Sequence, residues 1–89
     1  MIEADVKIRN RLGLHARAAA RFVHVANRFA SHIVVARDGA RADGKSILGL
    51  LTLAASRGSC VQLSVDGPDE QLALAELVAL IEDRFGEGE

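Results

Sequence analysis

The chain has 89 residues, of which 49% are hydrophobic and 26% charged, with a net charge of −1. That length suits one domain with a modest core. The near-neutral balance and the absence of Trp and Tyr argue against a general attraction to nucleic acid or membrane and against base-stacking aromatic platforms. Cys60 stands alone, so no disulfide framework exists and a reducing compartment is expected. No apolar run approaches the roughly 18 residues of a membrane span. The first residues carry Glu3, Asp5 and Lys7. No signal peptide is read there, and a cytoplasmic protein is expected.

Taken in order, Ile2, Ala4, Val6 and Ile8 alternate with Glu3, Asp5 and Lys7, the pattern of a half-buried strand. Asn10 to Gly13 reads as a loop. A helix is predicted from about Ala16 to Phe29. Its apolar stripe is Ala16, Ala19, Ala20, Val23, Ala26 and Ala30, with Phe22 and Phe29 beside it. Arg17, Arg21, His24 and Arg28 share another face, a solvated stripe or a surface for acidic partners.

Ile33 to Ala36 form a second strand, and Asp38-Gly39 signals a hairpin to a short third strand at Ala40 to Asp43. Ser46 is placed as the N-cap of a helix from Ile47 to Ala54. That helix is apolar nearly all round. Leu50, Leu53 and Ala54 are expected to face the core, leaving Ile47, Leu48 and Leu51 as an exposed docking patch, the alternative being a helix buried on all sides. Val61, Leu63 and Val65 alternate with polar residues in a fourth strand, with a partly buried Cys60 at its start. After Gly67-Pro68 a last helix is predicted from about Asp69 to Arg84, with a core stripe of Leu74, Leu77, Val78, Ile81 and Phe85. Residues 86–89 are expected to fray. The order is β-α-β-β-α-β-α. Short strands with one apolar face imply a mostly antiparallel sheet with helices packed on that face.

The most informative stretch is Gly13-Leu14-His15-Ala16-Arg17. It places a histidine at a helix N-terminus, where free N–H groups and the helix dipole attract anions and disfavour a protonated imidazole. A neutral imidazole beside an arginine is suited to accept a phosphoryl group. The competing reading is a helix-start histidine with no chemistry. Gly39 to Ser46 matches the phosphate-binding P-loop pattern letter for letter. However, a hairpin at Asp38-Gly39 would put half of it in a strand, and the chain is too short for the parallel sheet a P-loop needs. His15, His24 and His32 lack metal-ligand spacing, so no metal or other cofactor is expected.

Gly13 to Arg17 resembles the phosphorylation motif of the HPr family, the histidine-containing phosphocarriers of the bacterial phosphoenolpyruvate-dependent phosphotransferase system. Lys45-Ser46-Ile47-Leu48-Gly49-Leu50-Leu51 is similar to the family's second motif, centred on a regulatory serine. The resemblance covers residues 1–89 as one domain. It implies an α+β open-faced β-sandwich, a four-stranded antiparallel sheet covered on one face by three helices. By the same resemblance His15 accepts phosphate from Enzyme I and passes it to IIA domains, and Arg17 steadies it. The resemblance also implies that Ser46 is the target of an HPr kinase/phosphorylase and that partners dock at Ile47, Leu48 and Leu51, to which the basic stripe adds Arg21 and His24 as docking candidates. The protein is then a monomeric carrier, not an enzyme in its own right. Family members usually carry proline after the motif arginine, where this chain has Ala18. That departure points to a looser helix entry and keeps open a regulatory, nitrogen-type or kinase-controlled binding module.

Overall fold

Apolar residues at every second position let a strand hide one face and wet the other. Four such segments pair here. The computed structural model describes residues 1–89 and orders them as β1 (Ile2–Lys7), α1 (Ala16–Ala26), β2 (His32–Arg37), β3 (Ala40–Asp43), α2 (Ile47–Thr52), β4 (Cys60–Asp66) and α3 (Glu70–Glu82). All pairings are antiparallel, and the sheet order is β1-β4-β2-β3. The register stacks like on like. Val6 lies opposite Val61, Val35 opposite Leu63, and Ile33 opposite Val65. All six of these side chains are buried. One continuous apolar core of 22 residues draws on every strand and helix, so the helices cover the apolar face of a single open sheet. No helix is long and apolar enough to cross a membrane.

The structure corrects several boundaries. α1 ends at Ala26, not Phe29. Beyond it the chain tightens into three-residue turns (Arg28 N–H to Val25 O, Phe29 N–H to Ala26 O), which swing Phe29 into the core. The buried stripe of α1 is Ala18, Ala19, Phe22, Val23 and Ala26, while Ala16, Ala20 and Ala30 are exposed. Burying the large Phe22 ring outweighs burying more alanines, and the helix turns to suit it. In α3 the deep positions are Ala73, Leu77 and Ile81, spaced by four, whereas Leu74 and Val78 are only half-buried. Ala54 has φ of 50° and faces solvent, and Ala55 takes the core position beside Leu53. Cys60 is exposed, because Val61 next to it fills the inward slot.

The P-loop reading fails on geometry. Asp38-Gly39 is the β2–β3 turn, and Ala40 to Asp43 is strand. Gly44 donates its N–H to Ile33 O, and a Cβ on it would lie 2.4 Å from Ile33 Cγ2. That glycine serves sheet packing instead of a phosphate cradle.

Asp69, just before α3, does not cap its own helix. It accepts hydrogen bonds from the Ser31 hydroxyl and from the Ala30 and Ser31 amides, at 2.5, 2.9 and 3.0 Å. These contacts, the Ser31 hydroxyl foremost, hold its carboxyl below the usual 3.8 and outweigh the opposing effect of burial. A lowered carboxyl contributes stability that is complete above its ordinary value and lost as pH falls through the folded value. Asp69→Asn is therefore expected to lower Tm at pH 7 and to approach wild-type stability near pH 2. Thermal unfolding at both pH values measures this.

Candidate functional site

The loop from Asn10 to Gly13 turns sharply between β1 and α1. Gly13 sits at φ 69°, and its missing side chain lets Ala55 O and Ser56 come close. Leu14 N–H then donates to Ala55 O at 2.8 Å and buries its side chain, which clamps the residue before His15. His15 is the N-cap of α1, with extended backbone (φ −83°, ψ −178°), and its carbonyl accepts from Ala19 N–H. Its side chain makes no cap bond, so the ring is free to turn away from the helix.

The ring meets a residue that the sequence pattern did not flag. His15 Nε2 lies 2.5 Å from Glu87 Oε2. The other oxygen, Glu87 Oε1, accepts from Asn10 Nδ2 at 2.9 Å. Asn10 is fully buried and also donates from Nδ2 to Gly13 O at 2.7 Å. Both contacts are with acceptors, which fixes the amide's orientation. It also leaves Asn10 Oδ1 buried without a partner, at a cost of about 1–3 kcal/mol. Side-chain exposure is 26% for His15 and 13% for Glu87, so the pair is largely shielded from water. Burial would raise the Glu87 carboxyl. Hydrogen bonds from Asn10 and His15 and the charges of His15 and Arg21 override this and hold it below the usual carboxylate range.

Glu87 arrives there because the chain does not fray after α3. Arg84, Phe85 and Gly86 are all left-handed, with φ of 56°, 53° and 75°. Two of them carry side chains, at about 1–2 kcal/mol each. Buried Phe85 anchors this hook, and Arg21 Nη1 donates to its carbonyl. Arg11 N–H donates to Glu89 O at 2.7 Å, and Arg11 Nε pairs with Glu89 Oε2 at 3.2 Å. A cleft of about 310 Å³ beside the pair is lined by Arg11, Arg17, Arg21, Glu87 and Glu89, with Leu12 and Gly86. Arg17 points no hydrogen bond elsewhere and is exposed at its rim. Asn10 and Arg11 lay hidden in a segment that reads only as a loop. A large aromatic at position 85 followed by Gly86 was the available sign that the chain is pinned there.

The second predicted region lies on α2, which packs against α1. Ser46 caps α2 as expected, its Oγ accepting from Gly49 N–H at 3.0 Å. Ile47 and Leu48 are exposed, Leu48 at 77%, but Leu51 is half-buried against the core and is not a free part of the patch. His24 is exposed on α1, and Arg21 is engaged by the hook. No group of His, Cys, Asp or Glu is assembled to hold a metal ion.

An open-faced sandwich that presents a histidine at the first turn of its first helix defines a class of small phosphoryl-carrier-like domains. The chain belongs to the HPr family: the family model described as the PTS HPr component phosphorylation site matches residues 2–83. It is 52% identical over 89 residues to phosphocarrier protein HPr of Cupriavidus necator, covering all of both chains. Among solved structures it is similar to HPr of Thermoanaerobacter tengcongensis, at 47% identity and a TM-score of 0.94, with 98% of each chain covered. It is also similar to Crh of Bacillus subtilis, at 44% identity and a TM-score of 0.77, with 94% of this chain and 97% of that one covered. That Crh structure is a dimer with a swapping domain, so the similarity does not carry the monomeric state expected from the sequence.

Gly13 is the tightest point of the site loop. Gly13→Ala would set a Cβ 2.6 Å from Ala55 O at a left-handed φ. A loss of about 1–3 kcal/mol in a denaturant titration is expected.

Proposed function

We propose that this chain is a phosphocarrier: His15 takes a phosphoryl group from phosphorylated Enzyme I and hands it to IIA domains, in the cytoplasm. The observation that carries this reading is the two-sided environment of one imidazole. Nε2 is engaged by Glu87, which leaves Nδ1 as the nitrogen with a free lone pair. Nδ1 belongs to the N-cap residue of α1, whose first amides are unpaired and attract anions. Arg17, free at the rim of the adjoining cleft, is the cation available to the incoming oxygens. Phosphoryl transfer is chiefly positioning and charge neutralisation, so a small carrier with these groups needs the partner enzymes to complete the site. Exposed Ile47 and Leu48 beside Arg17, His24 and the rest of α1 are the docking surface, with Leu51 supporting it from below and Arg21 from the hook.

Ser46 is the second site. Its hydroxyl is half-buried at the start of α2, next to that apolar patch. A phosphate there adds close to two negative charges and opposes docking. A second reading, a regulatory binding module controlled through Ser46, is favoured by the similarity to Crh. It requires partner binding without phosphate turnover at His15.

Intact mass after incubation with phosphoenolpyruvate, Enzyme I and Mg²⁺ separates the two. An acid-labile phosphate adduct, absent in His15→Ala, is expected. Arg17→Ala is expected to accept phosphate about tenfold more slowly, the size of one charge-assisted contact. A chain that gains no adduct from active Enzyme I is a binding module.

A further inference from the structure

A neutral imidazole that attacks phosphorus gains charge. The Nδ1 lone pair forms the P–N bond while the bond from phosphorus to the donor protein breaks, its electron pair leaving on the donor. The hydrogen on Nε2 stays where it is, so the ring finishes as a phosphorylated imidazolium with one positive charge. Passing the group on reverses this, and a cationic ring is the better leaving group. Whatever stabilises the Nε2–H cation therefore assists both halves of the carrier cycle. Stabilising the neutral ring would strand the phosphate on it.

The group facing Nε2 is a carboxylate: Glu87 Oε2, 2.5 Å away and mostly screened from water. We infer that Glu87 is the positioning residue of this carrier, fixing His15 with its hydrogen on Nε2 and balancing the charge the ring acquires as the P–N bond forms. This rests on His15 as the phosphoryl acceptor. The geometry around Glu87 fits the role. Its second oxygen is held by buried Asn10, so the carboxylate cannot rotate away without breaking two contacts. It is delivered by a hook whose Arg84 and Phe85 adopt left-handed backbone, an arrangement that persists only where the surroundings over-determine it. The other charges facing the pair are Arg11, Arg17, Arg21 and Glu89. Arg11 is matched by Glu89 and Arg21 is tied to Phe85 O, which leaves Glu87 as the anion committed to the ring. The arrangement uses the logic of a carboxylate behind a catalytic imidazole, with phosphorus in place of a proton as the electrophile.

Two variants separate orientation from charge. Glu87→Gln keeps an oxygen able to accept from Nε2 but removes the negative charge, while Glu87→Ala removes both. ¹⁵N shifts of the unphosphorylated ring read the tautomer. They are expected to show the Nε2–H form in the wild type and in Glu87→Gln, and a mixture in Glu87→Ala. Single-turnover acceptance from phospho-Enzyme I is expected to fall about tenfold in Glu87→Gln, in maximal rate with KM within twofold. The isolated phosphoprotein, followed by ³¹P NMR, is expected to hydrolyse several-fold more slowly than wild type at pH 7–8. That gap should narrow as the pH is lowered, because acid then supplies the ring proton that Glu87 otherwise holds in place. Wild-type acceptance and decay in Glu87→Gln would overturn the inference. A lower Tm in Glu87→Ala with an unchanged tautomer and decay profile would do the same, by making the hook structural only. A wild type that never forms the adduct would instead overturn the phosphocarrier reading itself.

Discussion

β4 pairs on both edges, with β1 on one side and β2 on the other, and this double antiparallel pairing is what the remaining parts lean on. Val61, Leu63 and Val65 project from it into the core, and each lies across from a buried or part-buried apolar side chain of a neighbour. The sheet has one dry face, so α1 and α3 must lie across it, and their positions follow from that requirement. β4 also determines the site. The segment leading into it, residues 55–59, supplies the carbonyls that receive Leu14 and Ile8. The histidine is thereby referenced to the sheet at two points and not to its own helix alone.

The site adds a polar device to this apolar frame. The cost falls in three places: an orphaned buried amide oxygen on Asn10, two left-handed residues with side chains, and a shielded carboxylate. Each would be a liability alone. Together they deliver one charged oxygen to one ring nitrogen, beside a cleft lined by Arg11, Arg17 and Arg21. Such concentration of unfavourable terms at one place is the usual mark of a functional region in an otherwise consistent fold.

Much of this was legible in the residues. Alternation in the four strands, Ser46 as a cap, the Asp38-Gly39 hairpin and the Gly13–Arg17 stretch all rest on local rules, and local rules read well from one sequence. The misreadings share a cause. Choosing which alanines of α1 go inside depends on where Phe22 can be housed, and Leu51 is drawn inward by neighbours from other elements. Phe85 hinted at an anchor, but the hook beyond it was hidden because Gly-Glu-Gly-Glu is what a loose tail looks like. Its order comes from Arg11, Asn10, His15 and Arg21, residues far away along the chain. Long-range partners cannot be inferred from spacing.

That same distance along the chain has a kinetic side. The contacts of Glu87 with Asn10 and His15 span 77 and 72 residues, and Ile2 reaches Val65 to pair. Loops that long close late, after local helices and the β2–β3 hairpin have formed. The imidazole thus meets its carboxylate only once the two ends of the chain have been brought together by the sheet. A partly folded chain would display the histidine without the oxygen behind it.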